Sequence, residues 1–260
     1  MFVGLYGTVQ FKLGAYESDM QFFTNLGTQA DVNSFTRTAL PLDEPARRYL
    51  SVVVAAIPAN TAFPLHLHPV SEDLFVVVSG SGHLMESDRK RPLSRLDAVW
   101  VPPGHAHGLT TEREAVLEIG CQVPPDDTSA DVAVPQHTPS PGHAIIAPVK
   151  SRTPTCGEPS WSSVFPASHR QRIRLMSASL RSAQQLVAPS GPSAGAIIVV
   201  RGAGQIDGHI LRALAVAVYA DESPPCVIVQ DDDTLLVAVL VFPDTVCNQP
   251  AQQAVGADRR

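Results

Sequence analysis

The sequence predicts an all-β fold, a sandwich or a barrel, built twice along one chain. Three observations carry this. Short apolar, β-branched runs recur at a spacing of roughly 8–12 residues with glycine and proline between them. No stretch holds a convincing helical period. The runs after residue 160 also repeat those before residue 124 at an offset of about 120 residues.

Residues 1–48 form a leader of mixed character. Val9–Leu13 alternates like a strand, and the prolines of Leu40–Pro45 mark a loop. Residues 49–123 are the first β unit, with strands expected at Tyr49–Ile57, Leu74–Val78, His83–Glu86, Ala98–Val101 and Ala115–Val123. Residues 124–160 are rich in proline and read as a linker or wrapping loop, with His137 and His143 as exposed loop histidines. Residues 161–246 repeat the first unit. Arg174–Leu180 echoes Leu50–Ala56, Ala196–Gly204 echoes Leu74–Gly82, Leu214–Tyr219 echoes Ala98–Val101, and Leu235–Phe242 echoes Ala115–Val123. Residues 247–260 read as a flexible tail.

At 260 residues, with 44% hydrophobic and 17% charged residues, the chain can bury a substantial core. A net charge of −6 argues against nucleic acid or an anionic membrane surface as the main partner. No run of residues is apolar and long enough for a membrane span, and Met1–Thr8 lacks the basic and apolar regions of a signal peptide. Cys121, Cys156, Cys226 and Cys247 are scattered without a C-x-x-C pair and read as reduced thiols. The expectation is a cytoplasmic protein.

Two stretches carry chemistry. In Pro64–Gly80, His66 and His68 stand two residues apart on extended chain and so share a side, and a carboxylate opens the apolar strand that follows. In Leu96–His107 the theme returns as a strand, the Pro102-Pro103-Gly104 turn, and then His105 and His107. Imidazoles and a carboxylate converging from neighbouring strands suit a divalent first-row metal.

These stretches resemble the paired motifs of the cupin superfamily, G-x5-H-x-H-x3,4-E-x6-G and G-x5-P-x-G-x2-H-x3-N. His66, His68 and Gly80 fill their slots in the first; Pro102, Gly104 and His107 fill theirs in the second. Asp73 stands where the family usually has Glu, Leu96 replaces the opening glycine and Thr111 the final asparagine. Glu72 fits a shorter spacing from His68 but misses Gly80 by one residue. The resemblance implies two jelly-roll barrels, a bicupin, with one divalent metal (Fe, Mn, Ni, Cu or Zn) held by His66, His68, Asp73 (Glu72 as the alternative carboxylate) and His107. Alternation favours Asp73 and turns Glu72 to the other face as a surface carboxylate. It also turns Phe75 and Val77 inward with Asp73, as apolar pocket lining. A leader such as residues 1–48 packs on the barrels or crosses to a partner in related folds, and a homodimer is implied.

The second copy has lost its donors. With Gly202 aligned on Gly80, Ala188, Ser190 and Gly195 stand for His66, His68 and Asp73, and the His107 slot falls near Pro225. Chemistry is therefore expected in the first barrel, on a small organic molecule. Dioxygenase-type chemistry leads, metal-assisted isomerisation, cyclisation or lyase chemistry follows, and a non-catalytic small-molecule-binding bicupin is the rival from another class. The acid/base residues are not identified. Glu118 and His83 each face either inward or to solvent, with outward expected for Glu118; His105 reads as a turn residue, and His169 and His209 as structural or surface groups. Gly191–Gly195 fits G-x-S-x-G on paper, but a loop precedes it and a strand follows, the reverse of a nucleophile elbow. Gly202-Ala203-Gly204 reads as a hairpin, not a dinucleotide fingerprint.

Overall fold

The computed structural model describes residues 20–29, 33–125, 143–149, 159–166, 172–189, 193–220 and 224–242. The expected strand Val9–Leu13, His137, His169 and residues 247–260 lie outside the described residues. Two short strands, β1 (Gln21–Phe23) and β2 (Thr36–Ala39), come first. The next eight are β3 (Ser51–Ile57), β4 (Ala62–His66), β5 (Glu72–Ser79), β6 (Gly82–Glu86), β7 (Lys90–Leu93), β8 (Asp97–Val101), β9 (His107–Thr111) and β10 (Val116–Val123). Two more short strands, β11 (Ile145–Pro148) and β12 (Ser162–Ser163), lead into a second set of eight. These are β13 (Ile173–Leu180), β14 (Gln185–Val187), β15 (Ala194–Arg201), β16 (Ala203–Ile206), β17 (His209–Arg212), β18 (Ala215–Ala220), β19 (Cys226–Val229) and β20 (Thr234–Val241). Helix is confined, among the described residues, to Leu26–Gln29 and one 3-10 turn at Ala46–Arg48.

Each set of eight makes one barrel from two sheets. The first has the orders β11-β8-β5-β10-β3-β2 and β4-β9-β6-β7; the second has β1-β18-β15-β20-β13-β12 and β14-β19-β16-β17. Strands ten apart in number hold the same place, so the internal repeat in the sequence is a repeat of topology. The flanking strands are exchanged. β1, ahead of the first barrel, pairs with β18 of the second, and β11, ahead of the second, pairs with β8 of the first.

Three apolar clusters account for the long apolar runs. Ile57, Phe75, Val77, Leu84, Val99 and Leu109 fill the first barrel. Ile197, Val199, Leu211, Ala217, Leu236 and Leu240 belong to the cluster filling the second. The third cluster joins the barrels: Val52, Val54, Leu74, Val76, Ile119 and Cys121 meet Ile198, Val216, Val218, Val237 and Val239. The larger sheet of each barrel packs its outer face on its counterpart. Every residue of β10 and of β20 is consequently buried, as expected of strands with no solvent side.

Glu72 belongs to this junction. It is 3% exposed, so it is not the surface carboxylate expected from alternation. Its side chain does face away from Asp73, but the face opposite the pocket is an interface and not solvent. Its carboxylate accepts from Trp100 Nε1–H at 2.9 Å and from the backbone N–H of Arg172, at the start of the second barrel, at 2.9 Å. Burial pushes its carboxyl above the ordinary range, and the hydrogen bonds from Arg172 and Trp100 hold that rise back. Glu72→Ala strands two part-buried donors and is expected to cost about 1–2 kcal/mol in a urea titration, with metal content unchanged. Loss of metal in that variant would instead make Glu72 part of the site.

Cys121 and Cys226 are both free thiols, and burial in the junction raises the Cys121 thiol well above its ordinary range.

Candidate metal centre

Three neighbouring segments at one end of the first barrel bring His66, His68, Asp73 and His107 together. His66 closes β4 and is paired directly with His107, which opens β9. Gly108 makes this close approach workable: a Cβ there would lie 2.6 Å from the Phe63 carbonyl oxygen and 2.9 Å from that of Pro64. His68 follows two residues on, and its carbonyl accepts from Gly104 N–H at 2.7 Å, so the Pro102–Gly104 turn braces it. Asp73 lies near the start of β5, opposite Val101 and Gln122.

The ligand atoms these four residues offer all lie within 4.8 Å of one another, an arrangement that could hold a metal ion. Ligand distances of about 2.0–2.2 Å need donors roughly 3–4 Å apart, so the group needs only slight contraction around an ion. Asp73 Oδ2 is 3.1 Å from His107 Nε2 and 3.8 Å from His68 Nε2. The shorter aspartate side chain therefore reaches the cluster without a bridging water.

Backbone carbonyls fix which nitrogens face inward. His66 Nδ1 is 3.0 Å from the Pro64 carbonyl and His107 Nδ1 is 3.1 Å from the His105 carbonyl. A carbonyl only accepts, so each Nδ1 carries a proton and Nε2 is the nitrogen each ring turns toward the other donors. Metal-binding imidazoles are commonly oriented in this way. Burial, with the nearby His107 adding to it, lowers His66 to about 3, so its imidazole is neutral at any ordinary pH. Burial pushes the Asp73 carboxyl up, but the hydrogen bond and charge of His107 outweigh it and hold the group below its ordinary value.

His105 is more than a turn residue. It is buried, its carbonyl orients His107, and its Nε2 lies 2.8 Å from Glu86 Oε1. Arg89 and Arg91 approach the other Glu86 oxygen at 3.0 and 2.7 Å. Burial raises the Glu86 carboxyl, and the bonds from Arg89 and His105 with the nearby arginine charges bring it below its ordinary value. Thr111, in the family's asparagine slot, donates its hydroxyl to the Pro58 carbonyl and accepts from Thr61 N–H at 3.1 Å, tying the β3–β4 turn to β9.

A narrow cavity, with about 20 Å3 open to the centres of water-sized molecules, lies beside the cluster. His66, Asp73 and His107 line it with Arg37, Glu118 and Gln122, and Phe63, Phe75 and Leu109 supply apolar wall. Phe75 thus reaches the cavity, whereas Val77 sits further along in the barrel's apolar filling and is not part of its lining.

Glu118 corrects the outward expectation. It is 8% exposed and faces into the barrel, because its neighbours Leu117 and Ile119 point into the junction. Burial, with the charge of Asp73 adding to it and that of Arg37 opposing it, raises its carboxyl to about 8. Gln122 Nε2 lies 3.1 Å from His68 Nε2. Neither Arg37 nor Gln122 is part of the histidine motifs, and the only sequence signal for Gln122 was its place two apart from Gly120 and four from Glu118 on one strand face. His83 points outward, 3.8 Å from Glu112. His143 is exposed.

In the second barrel the equivalent position is filled. Gly195 takes the place of Asp73, opposite Tyr219 and Leu240 where Asp73 faces Val101 and Gln122. A Cβ on Gly195 would lie 2.5 Å from the Tyr219 ring and hydroxyl, so the tyrosine occupies the space the ligands hold in the first barrel. Ala188 donates its N–H to the Pro225 carbonyl, and both are buried. His209 stacks on Phe22 at 4.4 Å between ring centres.

A jelly-roll barrel with three histidines and a carboxylate at one end is the architecture of the metal-binding cupins. Residues 53–120, within the first barrel, match the cupin domain family. No curated protein matches the chain. Among solved structures, YlbA from E. coli is 10% identical with a TM-score of 0.63, over 87% of this chain and 92% of its own. The bacterial pirin YhhW from E. coli, in complex with nickel(II), is 16% identical with a TM-score of 0.57 over 92% of this chain and 96% of its own. A salicylate 1,2-dioxygenase mutant from Pseudoaminobacter salicylatoxidans, in complex with gentisate, is 12% identical with a TM-score of 0.63 over 87% and 83%. These likenesses extend across both barrels and concern the fold.

Proposed function

We propose that the chain is a metal-dependent enzyme that binds one divalent transition metal through His66, His68, Asp73 and His107 and acts on a small organic molecule in the adjoining cavity. The observation that carries this reading is the convergence of four donors within 4.8 Å, with two imidazole rings already oriented by backbone carbonyls. When bound, such a metal supplies Lewis acidity and a template for co-reactants. The chain supplies the rest. Phe63, Phe75 and Leu109 exclude water, and Gln122 stands beside His68 where an incoming molecule would meet an amide.

Dioxygenase-type chemistry is the leading form of this reading, supported by the gentisate-bound dioxygenase of similar fold. Isomerase, cyclase or lyase chemistry is the alternative, favoured by one observation: the buried Glu118 carboxyl, raised to about 8, is placed on the cavity wall and can carry a proton at neutral pH. A homodimer in the cytoplasm goes with either form, and sedimentation analysis checks the first of these. No helix among the described residues is long and apolar enough to cross a membrane.

Elemental mass spectrometry of protein purified without an affinity-tag metal tests the centre. Wild type is expected to carry about one equivalent of Fe, Mn, Ni, Cu or Zn, and His68→Ala to lose at least tenfold in occupancy. Iron, manganese, nickel or copper directs the next step to oxygen-consumption assays; zinc alone directs it to isomerase and lyase substrates. Wild type without metal after reconstitution defeats the enzymatic reading and leaves a small-molecule-binding protein.

A further inference from the structure

The four proposed ligands leave two charged residues of the cavity wall unused, Arg37 and Glu118. Their placement follows from register. Arg37 on β2 is opposite Ala55 on β3, and Ala55 is opposite Glu118 on β10. Directly opposed residues share a face, so all three project into the barrel. With strands about 4.8 Å apart, the two backbones lie roughly 10 Å from each other, and the small Ala55 between them leaves the space above it open.

Among the described residues neither side chain is fully satisfied. Glu118 Oε2 is buried and has no hydrogen-bond partner. Arg37 is half-buried and makes no hydrogen bond or ion pair among the described residues. An arginine that merely reaches solvent past an apolar rim is common. Arg37 differs because it lines the same cavity as His66, Asp73 and His107, close enough for its charge to act on Glu118. Charge balance points the same way. Three neutral imidazoles and one carboxylate around a divalent ion leave one positive charge, and Arg37 adds a second in a place where water is scarce. An anion is what such a site lacks.

We propose that Arg37 is the recognition residue of this cavity, and that the molecule bound there is a small organic acid whose carboxylate pairs with the Arg37 guanidinium. The unpartnered Glu118 carboxyl then faces the same molecule and hydrogen-bonds a hydroxyl or amine on it. The inference rests on the cavity being the substrate site, and it adds the substrate's chemical class and the residue that selects it.

Cobalt(II)-loaded protein provides the test, because the cobalt absorption spectrum reports the metal centre separately from ligand binding. Glycolate and salicylate are titrated by calorimetry alongside their uncharged amides, glycolamide and salicylamide. Wild type is expected to bind at least one acid more tightly than its amide. Arg37→Met is expected to weaken that acid tenfold or more while leaving the amide unchanged, and Arg37→Lys, which keeps the charge without the planar fork, to fall between. Should Arg37→Met fail to fold by circular dichroism, Arg37→Gln and Arg37→Lys carry the comparison. An equal loss for acid and amide, or no loss for the acid, overturns the proposal. So does the failure of wild type to bind either acid with and without cobalt. Arg37-dependent binding of an acid by protein that takes up no cobalt upholds Arg37 and overturns the metal centre instead.

Discussion

Glu118→Gln is expected to stabilise the metal-free protein at pH 9 by on the order of 4 kcal/mol, and to leave its stability at pH 4 nearly unchanged. Burial, augmented by the charge of Asp73, lifts the Glu118 carboxyl from an ordinary 4.5 to about 8. Below pH 4.5 the folded and unfolded chains both carry the proton, and the group has no influence on folding. Between 4.5 and 8 the unfolded chain releases the proton while the folded chain keeps it, so stability falls as the pH rises. Above 8 both forms are ionised and the penalty stays constant. His66 acts in the opposite sense, since burial lowers it to about 3 and stability is lost as the pH falls from 6.5 toward that value. Comparing variant with wild type at each pH cancels the His66 contribution. Urea titrations at pH 4, 6 and 9 measure the difference, and a constant offset across the three would mean that Glu118 is already ionised in the folded protein.

Gly80→Ala is expected to cost more than about 3 kcal/mol and to reduce soluble yield sharply. Gly80 has φ +81, and a Cβ there would lie 1.8 Å from the Ala115 carbonyl oxygen. Both partners in that clash are backbone, so neither can rotate away, and relief requires β5 to part from β10. Gly208 supplies the control. Its φ is +80, but nothing lies within 4 Å of its would-be Cβ, so Gly208→Ala incurs only the left-handed penalty of about 1–2 kcal/mol. Thermal melts of the two variants separate clash from dihedral strain; matching losses would show that the β5–β6 turn relaxes freely.

The parts of this fold that could be read from the sequence are those where burial leaves no choice. β15 and β20 are apolar along nearly their whole length, and β5 from Leu74 to Val78, because one face fills a barrel and the other fills the junction. β4 and β9, which hold His66 and His107, have no such pattern. They are not among the strands expected from the sequence: they are short, one contains Pro64, and their buried positions mix His66, His107 and Thr111 with Phe63 and Leu109. The orientation of Glu118 was misread for a related reason. A strand with Leu117 and Ile119 beside a glutamate normally hides the apolar pair and exposes the acid, but here the second barrel covers the apolar pair and the acid faces the cavity at one end of the first. Glu72 was misjudged by the same rule, since a second barrel stands where solvent was assumed. Arg37 was invisible because it belongs to a strand that precedes the barrel, and no local pattern relates it to a site whose first ligand, His66, lies 29 residues later.

The exchange of β1 and β11 sets an order of events during synthesis. The strand at Gln21–Phe23 leaves the ribosome almost 200 residues before its partner Val216–Val218 exists, and until then its hydrogen-bonding edge has nothing to pair with. The first barrel cannot finish its larger sheet until Ile145–Pro148 has followed it out. Neither half of the gene therefore encodes a self-sufficient unit. A chain severed between residues 125 and 143 would leave each fragment lacking a strand that the other carries, and the two pieces would be expected to recover native structure only when mixed.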